Sequence, residues 1–447
     1  MRFQTYYIES FGCQMNSSDS ERIAGHLESM GYTHCDKRES ADIIVINTCC
    51  VRESAENRIF GHIGALKHVK EQRPETIIII AGCLAQKDQQ AIFRRAPHVN
   101  IVLGTQNIDR LPEILQENQP RKRVVESGQH ASDGLGQDSG QKRQQGISAW
   151  IPIMYGCDNY CSYCIVPYVR GAERSRPFEM VLDEVQKFAA AGGKEITLLG
   201  QNVNSYGKNL PDNWTFPRLL QEVDRHGGIP RIRFMTSHPK DFGAELINVM
   251  AGGRNICEHL HLPVQSGCDE ILQRMNRKYT TADYRNHVEQ LRAAIPDISI
   301  TTDIIVGFPG ETDAMFEQTL QFIAAVKFDA AFTFLYSKRS GTPAATMDEQ
   351  VPMAVKKQRL QRLMDLQNEI SLAANQTWVG RVVEVLADGP SKTDPAVYSG
   401  RTRQNKIVLW PAESNDQPGL TRFIEITAAQ TFLLRGTVCA ERMDLRF

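Results

Sequence analysis

Met154-Tyr-Gly-Cys157-Asp-Asn-Tyr-Cys161-Ser-Tyr-Cys164-Ile-Val-Pro-Tyr-Val-Arg-Gly171 decides how this chain is read. It continues an apolar run, Ile151–Tyr155, that has the composition of a buried strand. Three cysteines at C-x3-C-x2-C spacing directly after a strand can surround one metal centre. A structural zinc site asks for four ligands in a tetrahedron, and its usual sign is a pair of C-x2-C knuckles. Three thiolates instead suit a 4Fe–4S cluster with one iron left open. A zinc site and packed apolar thiols are the competing readings.

Upstream, residues 1 to about 119 alternate strand and helix patterns. Tyr6–Phe11, Ile43–Asn47 and Ile77–Ala81 read as strands. Ser18 with Glu21 resembles a capping box ahead of Ile23, Leu27 and Met30, with Gly31 as a stop. Ala55, Ile59, Ile63 and Leu66 form a second helical stripe. A βαβαβ order predicts a doubly wound parallel sheet. Cys13, Cys49 and Cys83 each follow one of its strands. Parallel strands joined by right-handed crossovers all end on one edge, where ligands bind. The three thiols are therefore expected to converge, either as a second three-thiolate set or as buried apolar groups. Of the adjacent Cys49 and Cys50, Cys49 is the better ligand because it stands directly at the strand end. Cys35, Cys257, Cys268 and Cys439 have no cluster spacing and read as packing residues.

Residues 120–146 are rich in Gly, Ser, Gln and charge, which reads as a linker. Arg121, Lys122 and Arg123 in it have the chemistry to touch phosphate, although a solvated tether is the plainer reading. Downstream, six strand candidates alternate with helical stripes: Ile151–Tyr155, Glu195–Leu199, Ile232–Thr236, Leu260–Val264, Ile300–Val306 and Ala331–Tyr336. Six βα units are fewer than the eight of a closed TIM barrel, so an open, partial (βα)6 TIM barrel is expected. A polar helix with apolar spacing follows over Val355–Leu372. From about Asn375 the pattern is all strand, broken by Gly, Pro, Asn and Asp, which predicts a small β-barrel.

The 447 residues carry 51 Lys and Arg against 52 Asp and Glu. No global cationic field draws in nucleic acid, so any RNA contact must be local. Met1–Ser10 lacks a signal-peptide pattern, and runs such as Thr76–Ala81 are far too short to span a membrane. A cytoplasmic protein with no membrane contact is expected. In a reducing cytosol its 11 cysteines point to metal binding or catalysis rather than disulfides.

Further segments bear on family. They are Phe11–Asn16, Asn47–Cys49, Val51–Glu53, Ala81–Cys83, Gly156–Cys164, Val166–Tyr168, Arg170–Gly171 and Glu173–Pro177, then Leu199–Asn204, Thr236–Pro239, His261–Gly267 and Asp303–Glu311. In that order they make the chain resemble the methylthiotransferase family of radical S-adenosylmethionine enzymes along nearly its whole length. Leu199–Asn204 and Thr236–Pro239 look like the isopentenyl-adenosine branch rather than the threonylcarbamoyl-adenosine branch. Val169, Ala172 and Cys268 differ from the family's usual residues, but no cysteine of either triad is lost.

The resemblance implies four segments: an N-terminal methylthiotransferase domain (4–119), the linker (120–146), a radical S-adenosylmethionine core (147–373) and a TRAM-like RNA-binding barrel (375–441). It implies two 4Fe–4S clusters and S-adenosylmethionine. Cys157, Cys161 and Cys164 would hold the cofactor-cleaving cluster, and Cys13, Cys49 and Cys83 the auxiliary, sulfur-carrying one. One cofactor molecule would methylate that sulfur, and a second would yield the radical that takes hydrogen from C2 of an adenine at tRNA position 37. The target base would be swung out of the RNA to reach the core.

Gln201, Asn202, Ser237, Gln265 and Asp303 stand at strand ends and are candidates for cofactor or adenine contacts, as is Gly307 in its turn. Their plainer role is to cap those ends. His238 and His261 read as structural. Arg401, Arg403 and Lys406 are the candidate RNA contacts, with ordinary surface charge as the alternative. The implied partners are tRNA and an electron donor of flavodoxin or ferredoxin type, with the chain acting as a monomer. Rival functions are methylthiolation of threonylcarbamoyl-adenosine or of a ribosomal-protein aspartate, and a non-catalytic RNA-binding protein with structural zinc.

Overall fold

The computed structural model describes residues 4–49, 53–117, 123–128 and 146–439. Cys50, Arg121 and Lys122 lie outside the described residues. The chain forms two compact units. The first joins residues 1–146 to Trp150–Met180 and Ser337–Ala345. The second comprises Ile147–Ala149, Val181–Tyr336 and residues 346–447.

In the first unit the elements run β1 (Thr5–Ser10), α1 (Gln14–Ser29), β2 (Thr33–His34), β3 (Ile43–Thr48), α2 (Glu53–Gln72), β4 (Ile77–Gly82), α3 (Cys83–Asp88), α4 (Ala91–Arg95), β5 (Ile101–Leu103), α5 (Leu111–Glu117) and β6 (Val124–Glu126). They build one six-stranded sheet in the order β2-β1-β3-β4-β5-β6. Every neighbouring pair is parallel. Strand β3 is buried along its whole length, as a central parallel strand covered on both faces must be. Its side chains alternate. Ile44 and Ile46 pack with Ile59, Ile63 and Leu66 of α2. Ile43 and Val45 pack with Ile23 and Leu27 of α1.

Strands β2, β5 and β6 are two or three residues long, too short to show a period in sequence. Strand β6 lies inside the stretch read as linker and pairs with β5 from Ile101↔Val124. The capping box at Ser18 is not realised. Helix α1 already starts behind Cys13, and Ser18 is buried within it. The same unit holds Trp150–Pro152, the end of β7 (Ser148–Pro152), then β8 (Met154–Tyr155), α6 (Val166–Arg170) and β9 (Arg174–Ser175). Strands β8 and β9 pair antiparallel around the three-cysteine segment.

The second unit contains most of α7 (Phe178–Ala190), then β10 (Glu195–Leu199), α8 (Phe216–His226), β11 (Arg231–Phe234), α9 (Ala244–Gly252), β12 (His259–His261), α10 (Asp269–Arg274), α11 (Thr281–Ala294), β13 (Ser299–Val306), α12 (Asp313–Val326), β14 (Ala330–Leu335) and α13 (Met353–Gln376). The strands form two three-stranded sheets, β11-β10-β7 and β12-β13-β14. The pairs β10/β11, β12/β13 and β13/β14 are parallel.

The chain ends in a closed barrel of β15 (Val382–Pro390), β16 (Val397–Thr402), β17 (Ile407–Pro411), β18 (Thr421–Ala429) and β19 (Leu434–Val438), in the order β15-β16-β17-β19-β18. Val385, Val408, Trp410, Ile424 and Leu434 fill it. Strand β16 lacks a continuous apolar pattern, because Ser399, Gly400 and Arg401 interrupt it. Within the unit Arg233 donates to the carbonyls of Thr402 and Arg403, and Arg231 to that of Arg401. No described helix is long and apolar enough to cross a membrane.

Candidate active site

Parallel register brings Ser10 beside Asn47, and Thr48 beside Gly82. The residues just beyond these strand ends are Cys13, Cys49 and Cys83. Cys13 caps α1, and Cys83 opens α3. The Cys49 thiol hydrogen-bonds with those of both Cys13 and Cys83. Gly12, at φ +141°, permits this approach: a Cβ there would stand 2.5 Å from that of Cys49.

Two asparagines that the sequence reading quoted without a role fix the edge. Asn16 donates to Asn47 Oδ1 at 3.3 Å and to the Thr48 carbonyl at 3.1 Å. Asn47 donates to the Asn16 carbonyl at 2.7 Å and to Ser20 at 2.9 Å. The bond from Cys49, with Arg170 and Asn16 assisting, draws the Cys13 thiol down to about 6. Cys49 is pushed strongly upward by its bonds to Cys13 and Cys83 and by burial.

The second triad lies in the same unit. Gly156 turns the chain at φ +73°, and the Cys157 amide donates to the Gly171 carbonyl at 3.1 Å. The Cys164 amide donates to the Cys161 carbonyl at 2.9 Å, a turn that holds two of the thiols on one loop. Asp158 and Glu173 exchange amide-to-carboxylate bonds of 3.2 and 3.3 Å across its base. Burial pushes the Cys157 thiol up to about 12, with the neighbouring Cys164 and Cys161 adding to the rise.

Helix α6 anchors this loop to the first sheet. Ile165 and Val169 pack on Cys83. Thr105 donates to the Val169 carbonyl at 2.6 Å. Arg170 donates to Asp19 at 3.0 Å, with both side chains buried. Its guanidinium lies near enough to Cys83 and Cys13 to interact with their charge.

Each triad offers three soft sulfur donors, which suits a 4Fe–4S cluster with one open iron. Among the described residues no three Cys, His, Asp or Glu side chains are gathered tightly enough for a single metal ion.

The other candidates lie in the second unit. Asn202 donates to Asp241 at 2.7 Å, and its Oδ1 is buried without a partner. Ser237 Oγ is likewise buried and unpartnered. Such orphaned atoms fit a site built for a polar cofactor. Gln201 is half-buried beside Asn202. Gln265 has φ +69°, and its backbone bridges to β13 through the Asp303 carbonyl at 2.8 Å. Asp303 is partly exposed, its carboxylate 3.5 Å from His261 Nε2. Gly307, at φ +70°, gives its amide to Glu311 at 2.6 Å, and the Lys356 side chain occupies the space a Cβ would take.

The three basic candidates differ in how far they are engaged. Arg403 binds Glu258 through two nitrogens and reaches the Ile256 carbonyl. Lys406 is buried, donating to Asp329 at 2.7 Å and to Asn375 at 2.9 Å. Arg401 keeps 40 % of its side chain exposed, beside Asn405 and 3.9 Å from Asp388.

Two family models match. One, described as the uncharacterized protein family UPF0004, covers residues 5–104 and thus Cys13, Cys49 and Cys83. The other, the radical SAM superfamily, covers residues 151–323. A tRNA-2-methylthio-N6-dimethylallyladenosine synthase of Carboxydothermus hydrogenoformans is 49 % identical over 442 residues, 98 % of this chain and 100 % of the relative. The enzyme of that name from Acetivibrio thermocellus is 48 % identical over 435 residues, 97 % of this chain and 90 % of the relative. The chain belongs to the tRNA-2-methylthio-N6-dimethylallyladenosine synthase family.

Among solved structures, the radical S-adenosylmethionine methyltransferase TsrM of Kitasatospora setae, with cobalamin and a 4Fe–4S cluster, matches with TM-score 0.59 and 16 % identity over 77 % of both chains. The cobalamin-dependent S-adenosylmethionine radical enzyme OxsB matches with TM-score 0.51 and 14 % identity, over 82 % of this chain and 56 % of its own. At these identities the likeness is one of fold. The radical SAM family model and the synthase relatives make the chain a radical S-adenosylmethionine enzyme, using S-adenosylmethionine and 4Fe–4S clusters.

Proposed function

We propose that this chain methylthiolates C2 of N6-isopentenyladenosine at position 37 of tRNA, next to the anticodon. The observation that carries this is near-full-length identity of 48 % and 49 % to synthases of that nucleoside. In this reading Cys157, Cys161 and Cys164 hold the cluster that meets S-adenosylmethionine, and Cys13, Cys49 and Cys83 hold the sulfur-carrying one. Bound, these groups supply the radical and the sulfur that an aromatic C–H with no acid–base handle requires.

The protein's own part is to hold and orient. Asn16 and Asn47 fix the strand ends that Cys13, Cys49 and Cys83 follow. Arg170 adds a fixed positive charge beside Cys13 and Cys83, which favours their thiolate forms. Asn202 Oδ1 and Ser237 Oγ suit the polar groups of S-adenosylmethionine, with Gln201, Gln265, Asp303 and Gly307 as further contacts. We read the two three-stranded sheets as halves of an open (βα)6 partial TIM barrel. Residues 375–441 serve as a TRAM-like module that meets tRNA through Arg401, while Arg403 and Lys406 are held in ion pairs with Glu258 and Asp329. Arg401 has the most exposed charge of the three for a phosphate. Electrons come from a flavodoxin- or ferredoxin-type donor, and the chain works in the cytoplasm as a monomer.

The test is mass spectrometry of nucleosides after anaerobic turnover on tRNA bearing isopentenyladenosine. A new 2-methylthio product supports the reading. Unchanged isopentenyladenosine sinks it, and product on threonylcarbamoyl-adenosine alone moves the chain to the other branch.

A further inference from the structure

On β13 the side chains of Ile300, Thr302 and Ile304 are fully buried, whereas Thr301 and Asp303 on the opposite face are only partly covered. Parallel register sets His261 beside Thr301 and Phe332 beside Asp303. The open face therefore carries a connected set. Thr301 Oγ1 lies 3.0 Å from His261 Nδ1 and 3.2 Å from His259 Nε2. The Asp303 carboxylate stands 3.5 Å from His261 Nε2. The Phe332 ring meets His261 edge-on, with centroids 5.9 Å apart at 73°. Yet Phe332 is 56 % exposed, on a strand whose other residues are all at least half-covered.

An apolar ring left this open beside a hydrogen-bonded imidazole and carboxylate lacks a planar, polar-edged partner. A nucleobase has that shape, since every base presents a π-face for stacking and an edge for hydrogen bonds.

We propose that Phe332 is the stacking platform for the target adenine of tRNA, with the buried imidazole of His261 supporting the ring edge-on. This assignment rests on the function proposed above and adds the residues that recognise the substrate. Thr301 and Asp303 act as positioning residues for the imidazole of His261.

The experiment measures two affinities of the anaerobically reconstituted holoenzyme. One is for an anticodon-stem hairpin carrying isopentenyladenosine, by fluorescence anisotropy, and the other is for S-adenosylmethionine, by equilibrium dialysis. Phe332→Ala weakens hairpin binding roughly 5- to 150-fold, the range of one lost base stack. Phe332→Trp retains it, and both variants keep wild-type affinity for S-adenosylmethionine. Phe332 is a surface ring, so its truncation leaves the thermal transition near that of the wild type. Wild-type hairpin affinity in Phe332→Ala overturns the assignment, as does a variant that loses S-adenosylmethionine but not the hairpin. A wild-type enzyme that fails to bind the hairpin contradicts the proposed function itself, which separates the two failures.

Discussion

Arg170→Met removes the cation that pins the Cys157–Cys164 loop to the first sheet. Arg170 and Asp19 lie 3.0 Å apart with 5 % and 2 % of their side chains exposed. Truncating one partner of a buried pair costs about 3–5 kcal/mol, because the other charge remains without compensation. Burial already lifts the Asp19 carboxyl, opposed first by Arg170 and then by Arg22 at 3.9 Å. Arg22 stays in the variant and softens the loss, which favours the lower end, about 3 kcal/mol. Thr105 and the Ile165–Val169–Cys83 contact also remain. The expected response is therefore local opening rather than global unfolding. At about 1.4 kcal/mol per factor of ten, amide exchange across residues 156–171 should quicken roughly 100-fold. Hydrogen–deuterium exchange with mass spectrometry, under anaerobic conditions, reads this directly. The double variant Asp19→Asn/Arg170→Met leaves no orphaned charge and should recover most of the protection. Wild-type exchange in Arg170→Met refutes the clamp. A double variant as open as the single one refutes the charge argument behind it.

Three further outcomes are expected. Gly12→Ala drives a Cβ against Cys49 from a positive-φ position, so reconstituted protein should lose one cluster, falling from about eight iron per chain to about four; iron analysis checks it. Arg401→Ala should lower tRNA affinity and reduce the slope of log K against log salt by about 1. Arg403→Ala should mainly destabilise, by about 1–3 kcal/mol, because it strands Glu258; salt-dependent binding and denaturation curves separate the two. Burial holds His238 at about 2 and His259 well below its ordinary range. An unfolded histidine titrates near pH 6.5, so the unfolded chain takes up protons that the folded one refuses. Stability is full above that pH and falls below it, by about 1.4 kcal/mol per histidine between about pH 7.5 and 5.5. His238→Asn should remove about 1.4 kcal/mol of the stability lost between about pH 7.5 and 5.5, read from denaturation midpoints.

Much of the first sheet was legible because β3 and β4 each open with four β-branched residues, Ile43–Ile46 and Ile77–Ile80. Their shared ending on one edge made Cys13, Cys49 and Cys83 readable as a set, although no fixed spacing links them. Short elements were hidden: β5 and β6 offer three residues each, and β6 sits in polar sequence read as a tether. Arg170 lies next to Gly171 in a recognisable stretch, but nothing in sequence pairs it with Asp19, 151 positions away. His261 was read as structural, and Phe332 resembles any strand phenylalanine until its exposure is known. Arg403 and Lys406 carried the right charge for RNA, but their ion pairs with Glu258 and Asp329 depend on chain folding that no local pattern records.

Iron and sulfide content of the anaerobically reconstituted chain, measured on the wild type and on two triple variants, bears most directly on the paired-cluster reading. About eight iron are expected in the wild type. About four should remain when Cys13, Cys49 and Cys83 are replaced by alanine, and about four when Cys157, Cys161 and Cys164 are. Zinc in place of iron, or a triple variant that keeps its full complement, would contradict it.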